Sequence, residues 1–130
     1  AIEFMRDELI PLASIVTPNE EELFKLSNKK NVEHSIEFLY ELGVKNILIT
    51  GKIKNKKIVN YLFSDGSDPL QFKNSLLKGY FHGTGCMLSS LLTIFLAKKF
   101  SVLDSCEKAS NKTNSYLKLF KNIGKGQKLL

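Results

Sequence analysis

The chain is poor in the residues that mark several common chemistries. No apolar run reaches the roughly 18 residues of a membrane span, so no spanning helix is expected. Cysteine occurs only at 86 and 106, never as Cys-x-x-Cys, and histidine only at 34 and 82. Ligands so scattered exclude a zinc site of ordinary spacing. They also exclude a disulfide framework, and free thiols in a reducing cytoplasm are the expectation. No Gly-x-x-x-x-Gly-Lys-Ser/Thr is present, which removes a P-loop. No third glycine follows Gly83 and Gly85 at the dinucleotide spacing. Internal repeats and low-complexity segments are absent too.

What remains is ordinary globular material: 130 residues, 43% hydrophobic, enough for one domain with a real core. The formal net charge of +6 raises nucleic acid as a partner. The lysines are spread over surface-like positions and the tail, however, without the interleaved aromatics of a stacking platform. A solvated basic surface, with neither nucleic acid nor membrane as partner, is the expectation.

Residues 1–10 lack a starting methionine and look like the back half of a helix, so the chain is expected to begin inside a larger domain. After Pro11, the apolar run Leu12–Val16 reads as a buried parallel strand ending at Thr17-Pro18-Asn19. Glu20–Leu26 then opens a short helix with three acids in its first turn, favourable to the helix dipole. Asn31 is placed to cap a second helix that stops at Gly43. Val44–Thr50 reads as a strand ending at Gly51, and the strand–helix–strand spacing predicts a parallel pair. Lys52–Phe63 reads as a hairpin turning near Asn55, its lysines a solvated edge. A further strand is expected within Leu70–Leu77. Ser101-Val102-Leu103-Asp104 resembles a capping box. The last helix is expected to bury Leu103, Cys106, Ala109, Thr113, Tyr116 and Phe120, with Cys106 as a core residue. The tail from Gly124 is expected to fray.

The densest signal is His82-Gly83-Thr84-Gly85-Cys86, running into an apolar helix with residues 88, 91, 92, 95 and 96 on one face. Positions 87, 94 and 97 are apolar as well, so this helix is expected to be mostly buried. A helix opening on glycines presents free backbone N–H groups, with the dipole behind them, to phosphate or a developing oxyanion. Cys86 falls in that first turn, where positive potential favours thiolate. The bland alternative is a tight turn followed by a small core cysteine.

Val16-Thr17-Pro18-Asn19, Asn19-x-x-Glu22 and His82-Gly83-Thr84-Gly85-Cys86 together resemble the ribokinase-like kinases. The likeness is stronger to their hydroxymethylpyrimidine/phosphomethylpyrimidine kinase branch, of thiamine biosynthesis. Most ribokinase relatives carry aspartate where Cys86 stands. The branch has Lys-Gly-Gly where this chain has Thr50-Gly51-Lys52, and small polar residues where it has Tyr80-Phe81. The resemblance implies an α/β three-layer fold of which these residues form the carboxy-terminal part. The 130 residues would then be inactive by themselves, their partner being the amino-terminal half of the same domain. It implies Cys86 as general base, and Gly83, Thr84, Gly85 and Cys86 as the phosphate-binding anion hole. Thr50 and Gly51 would line the ATP pocket, while Asn19 and Glu22 would hold Mg²⁺. The substrate would be a small hydroxymethylpyrimidine. Alternatives are a cysteine-type pyridoxal kinase, which shares the loop, and a non-catalytic nucleotide-binding remnant. A homo-oligomer is compatible with this reading.

Overall fold

The computed structural model describes residues 1–75, 81–82, 84–121 and 128–129. The chain divides into two compact units, Ala1–Lys52 with Val59–Gln71, and Ile53–Ile58 with Phe72–Leu130.

In the first unit, α1 (Ile2–Phe4) continues through a π-helical turn, Met5–Leu9, and a 3-10 turn, Ile10–Leu12. The predicted strand Leu12–Val16 does not form. Pro11 sits in the first turn of the 3-10 segment, and Leu12 is 82% exposed. Pairing begins only at Val16, whose N–H donates to the Asn46 carbonyl at 3.1 Å. Leu48 N–H returns to the Val16 carbonyl at 2.8 Å, and Thr50 N–H to the Pro18 carbonyl at 3.0 Å. These bonds make two isolated parallel bridges, Val16 to Ile47 and Asn19 to Thr50. Pro18 has no N–H to extend the ladder, and Asn19 leaves it to cap a helix. The expected parallel relation is therefore real but very short. The Asn46 side chain reinforces it by donating to the Ser14 carbonyl at 3.0 Å.

Helices α2 (Glu20–Ser27) and α3 (Val32–Glu41) follow, each opened by an asparagine whose side chain accepts a first-turn N–H. Gly43, at φ +99, ends α3 as expected. Strand β1 (Asn46–Lys54) then runs past Gly51, where a stop was expected, and turns at Asn55-Lys56 into β2 (Lys57–Ser64). Both turn residues have positive φ, 51° and 60°, the hand that matches a two-residue hairpin to its strands. β3 (Leu70–Ser75) completes a sheet of order β1-β2-β3. Ile47 and Ile49 join Leu23, Ile36, Leu39 and Val44 in one apolar cluster. Leu48 alternates to the opposite face and is also fully buried, so β1 carries buried residues on both faces.

In the second unit, α4 (Thr84–Ala97) packs on α5 (Val102–Lys121). Only a stripe of α4 is enclosed: Leu88 and Leu92 are buried, while Ile94 is 48% exposed. The expectation of a mostly buried helix is thus corrected. Met87, Leu91, Phe95 and Leu96 are half-buried, and Ile94 and Ala97 are exposed, so burial fades away from the stripe that faces α5. On α5 the buried positions include Cys106, Ala109, Thr113 and Leu117. Leu103 and Tyr116, expected inside, are exposed, because the packed stripe is rotated toward Ser105 and Ser110. The Phe120 side chain lies outside the described residues. Ser101 caps α5, its Oγ accepting Asp104 N–H at 3.1 Å. The tail is not wholly frayed: Lys128–Leu129 forms β5, paired in parallel with β4 (Phe81–His82).

Candidate functional site

Residues of the first unit bring together two of the three polar motifs. The Asn19–Thr50 bridge sets the Thr17-Pro18-Asn19 turn beside Thr50-Gly51, at the carboxyl ends of two parallel segments. Crevices at such ends are where open α/β sheets bind ligands. Thr50 is half-buried and Gly51 exposed. Gly51 has φ +77, a conformation that glycine adopts without steric cost. Its N–H donates to the Asn60 side-chain Oδ1 at 2.9 Å. From the neighbouring position Lys52 reaches across, its Nζ lying 3.2 Å from Glu20 Oε2 at the start of α2.

Asn19 and Glu22 form a complete capping box. Asn19 Oδ1 accepts Glu22 N–H at 2.8 Å, and Glu22 Oε2 accepts Asn19 N–H at 2.9 Å. The exchange satisfies two of the free donors of α2 and fixes both side chains. The helix-start role weighed for Glu22 is therefore present in the structure. The bond to Asn19 N–H engages one carboxylate oxygen, Oε2. Glu22 is exposed and borders a cavity of about 410 Å³ together with Val16, Thr17 and Pro18. Among the described residues no three His, Cys, Asp or Glu side chains gather as a metal cluster. A single fixed carboxylate beside an asparagine still fits Mg²⁺, which keeps several waters and takes only one or two carboxylates from the protein.

The third motif lies in the second unit. Gly83 lies outside the described residues, as do the side chains of His82 and Thr84. From Thr84 onward the backbone is helical, so Gly85 and Cys86 sit in the first turn of α4. Cys86 is exposed, which excludes the core-packing alternative for this thiol. Gly85 has no positive φ, and a Cβ built on it would meet nothing within 4 Å among the described residues. Neither conformation nor described packing demands glycine there, so its absent side chain leaves the helix N-terminus bare.

Cys106 is the contrasting thiol. It is fully buried on α5, and burial pushes its pKa up to about 11. Iodoacetamide is expected to alkylate Cys86 in the native protein while Cys106 reacts at least ~10²-fold more slowly, since thiolate and access control the rate. Mass spectrometry of the alkylated peptides reads this directly. Equal native-state rates would show that Cys106 is not sealed in the core.

The residue that sequence reasoning missed is Asn60. It is 4% exposed, and its one signal was an asparagine inside a run of strand formers, where asparagine is depleted.

Similarity to known proteins gives the family. A pyridoxine kinase of Bacillus subtilis is 33% identical over 109 residues, which cover 78% of this chain and 40% of that protein. A hydroxymethylpyrimidine/phosphomethylpyrimidine kinase of Staphylococcus aureus is 32% identical over 132 residues, covering 95% of this chain and 48% of that protein. The chain thus spans about half or less of the length of these relatives. Among solved structures, the ADP complex of Bacillus subtilis pyridoxal kinase superposes with a TM-score of 0.71 at 32% identity. That match covers 85% of this chain and 46% of the other. The α/β fold is accordingly that of the ribokinase-like pyridoxal and phosphomethylpyrimidine kinases. The phosphomethylpyrimidine kinase family profile matches residues 1–130, so the chain belongs to that family.

Proposed function

We propose that these residues form the carboxy-terminal part of an ATP-dependent kinase of thiamine biosynthesis, acting on hydroxymethylpyrimidine or its phosphate. The carrying observation is Cys86, exposed in the first turn of an apolar helix that opens on glycines. A thiol so placed can accept a proton at Sγ from the substrate's hydroxymethyl oxygen. That oxygen forms the new bond to the γ-phosphorus of ATP as the bond to the β,γ-bridging oxygen breaks, and ADP leaves. Backbone N–H groups of Gly83, Thr84, Gly85 and Cys86 hold the transferring phosphoryl oxygens, whose charge must be met in the transition state. The bare surface at Gly85 supports that close approach. Thr50 and Gly51 line the nucleotide pocket.

Glu22, held by its capping box with Asn19, would hold Mg²⁺ through its carboxylate, with Asn19 fixing its orientation. When bound, Mg²⁺ supplies charge neutralisation at the phosphates. Two free cysteines fit a cytoplasmic location. Among the described residues no helix is long and apolar enough to cross a membrane.

A second substrate has support in the likeness to pyridoxine kinase: pyridoxal also carries a hydroxymethyl group on a heteroaromatic ring, and the same base would serve it. The test is a coupled ADP-release assay on the natural polypeptide that carries these residues, with each alcohol in turn. Turnover dependent on hydroxymethylpyrimidine is expected. Turnover with pyridoxal alone would transfer the function to the second substrate. ADP binding without turnover on either would leave a nucleotide-binding remnant and end the kinase reading.

A further inference from the structure

We propose that Asn60 is a positioning residue for the nucleotide, acting through the Gly51 peptide, an inference that rests on the reading of Gly51 as a nucleotide contact. Glycine populates both signs of φ, so a functional turn built on Gly51 needs something else to select φ +77. Asn60 supplies that selection. Its Oδ1 accepts the Gly51 N–H at 2.9 Å, and its side chain is almost wholly enclosed on β2. A buried amide in a strand is costly unless its polar atoms are used, which makes this bond more than an incidental surface contact. Gly51 is itself exposed, and a Cβ there would meet nothing within 4 Å. The peptide is therefore gripped from the protein side and open on the other. On the same strand Thr50 is fixed by its N–H to the Pro18 carbonyl, so consecutive peptides of the Thr50-Gly51 pair are held by independent partners. Asn60 need not touch the nucleotide. Its effect is to present the Gly51 backbone in one orientation before binding, which lowers the ordering cost of association.

The experiment compares Asn60→Leu, which removes the acceptor at similar volume, with Asn60→Asp, which keeps an oxygen in reach of the Gly51 N–H. Both are made in the natural polypeptide and measured for ADP affinity by calorimetry, for Gly51 amide exchange by NMR and for kcat. Asn60→Leu is expected to speed Gly51 exchange and weaken ADP by roughly 10-fold, the scale of one buried acceptor lost, with kcat within about twofold. Asn60→Asp should stay within about threefold of wild type in ADP affinity. If Asn60→Leu does not fold, Asn60→Ser, whose hydroxyl is too short to span the same gap, takes its place. A lower unfolding temperature with unchanged ADP affinity would make Asn60 a structural residue only and overturn the inference. So would equal losses in Asn60→Leu and Asn60→Asp. Wild-type protein that fails to bind ADP would instead sink the nucleotide reading of Gly51 beneath it.

Discussion

In the natural polypeptide, Cys86→Ala lowers kcat by about 10²-fold or more, the scale of a lost general base, while ADP affinity changes by less than about threefold. Cys86 is exposed at the opening of α4, so shortening it leaves no cavity in the core and the fold is unaffected. The backbone N–H groups of the loop survive the substitution, hence the retained nucleotide affinity. Cys86→Asp separates the role of base from that of thiol. A carboxylate at the same first-turn position can accept the proton and suits the positive helix end, so this variant keeps more activity than the alanine. Steady-state rates of the three proteins decide the matter. Turnover within a few-fold of wild type in Cys86→Ala would make the thiol a bystander.

Glu22→Gln raises the Mg²⁺ concentration for half-maximal rate by roughly 10-fold and leaves the unfolding temperature nearly unchanged. The contrast follows from the capping box. Glutamine can still accept Asn19 N–H, since Glu and Gln both serve at that position, so α2 keeps both of its reciprocal bonds. What disappears is the negative charge on the carboxylate, the feature a hard cation selects. Glu22→Ala loses charge and cap together and should also cost stability, about 1 kcal/mol. Mg²⁺ titration of the rate, with thermal unfolding beside it, reads both effects. An unchanged Mg²⁺ dependence in Glu22→Gln would return Glu22 to a purely structural role.

The local elements were legible because local chemistry decides them. Asn19 and Asn31 announced two helix starts, Gly43 a stop, and Asn55 the hairpin turn, each through backbone geometry within a few residues. The His82–Cys86 loop stood out in the same way, as glycines before an apolar helix. Errors arose where the outcome depended on distant partners. Leu12–Val16 looked like a strand by composition, yet Pro11 drew its start into a 3-10 turn and Pro18 left the ladder without a donor. The period of α4 was read correctly, but periodicity does not say how much of a helix its neighbours cover, and Ile94 remained exposed.

From the sequence alone came the helix caps, the hairpin and the three polar motifs, since these depend on residues close along the chain. Tertiary structure alone decided three other things. It bridged Asn19 to Thr50, so that motifs 31 positions apart share one strand end. It locked Asn19 and Glu22 into a reciprocal cap that also fixes the carboxylate. It turned Asn60 inward onto the Gly51 N–H, a bond between two strands that no pattern along either strand encodes. Backbone hydrogen bonding across strands and the enclosure of a polar side chain are set by which segments meet, and only the folded chain specifies that.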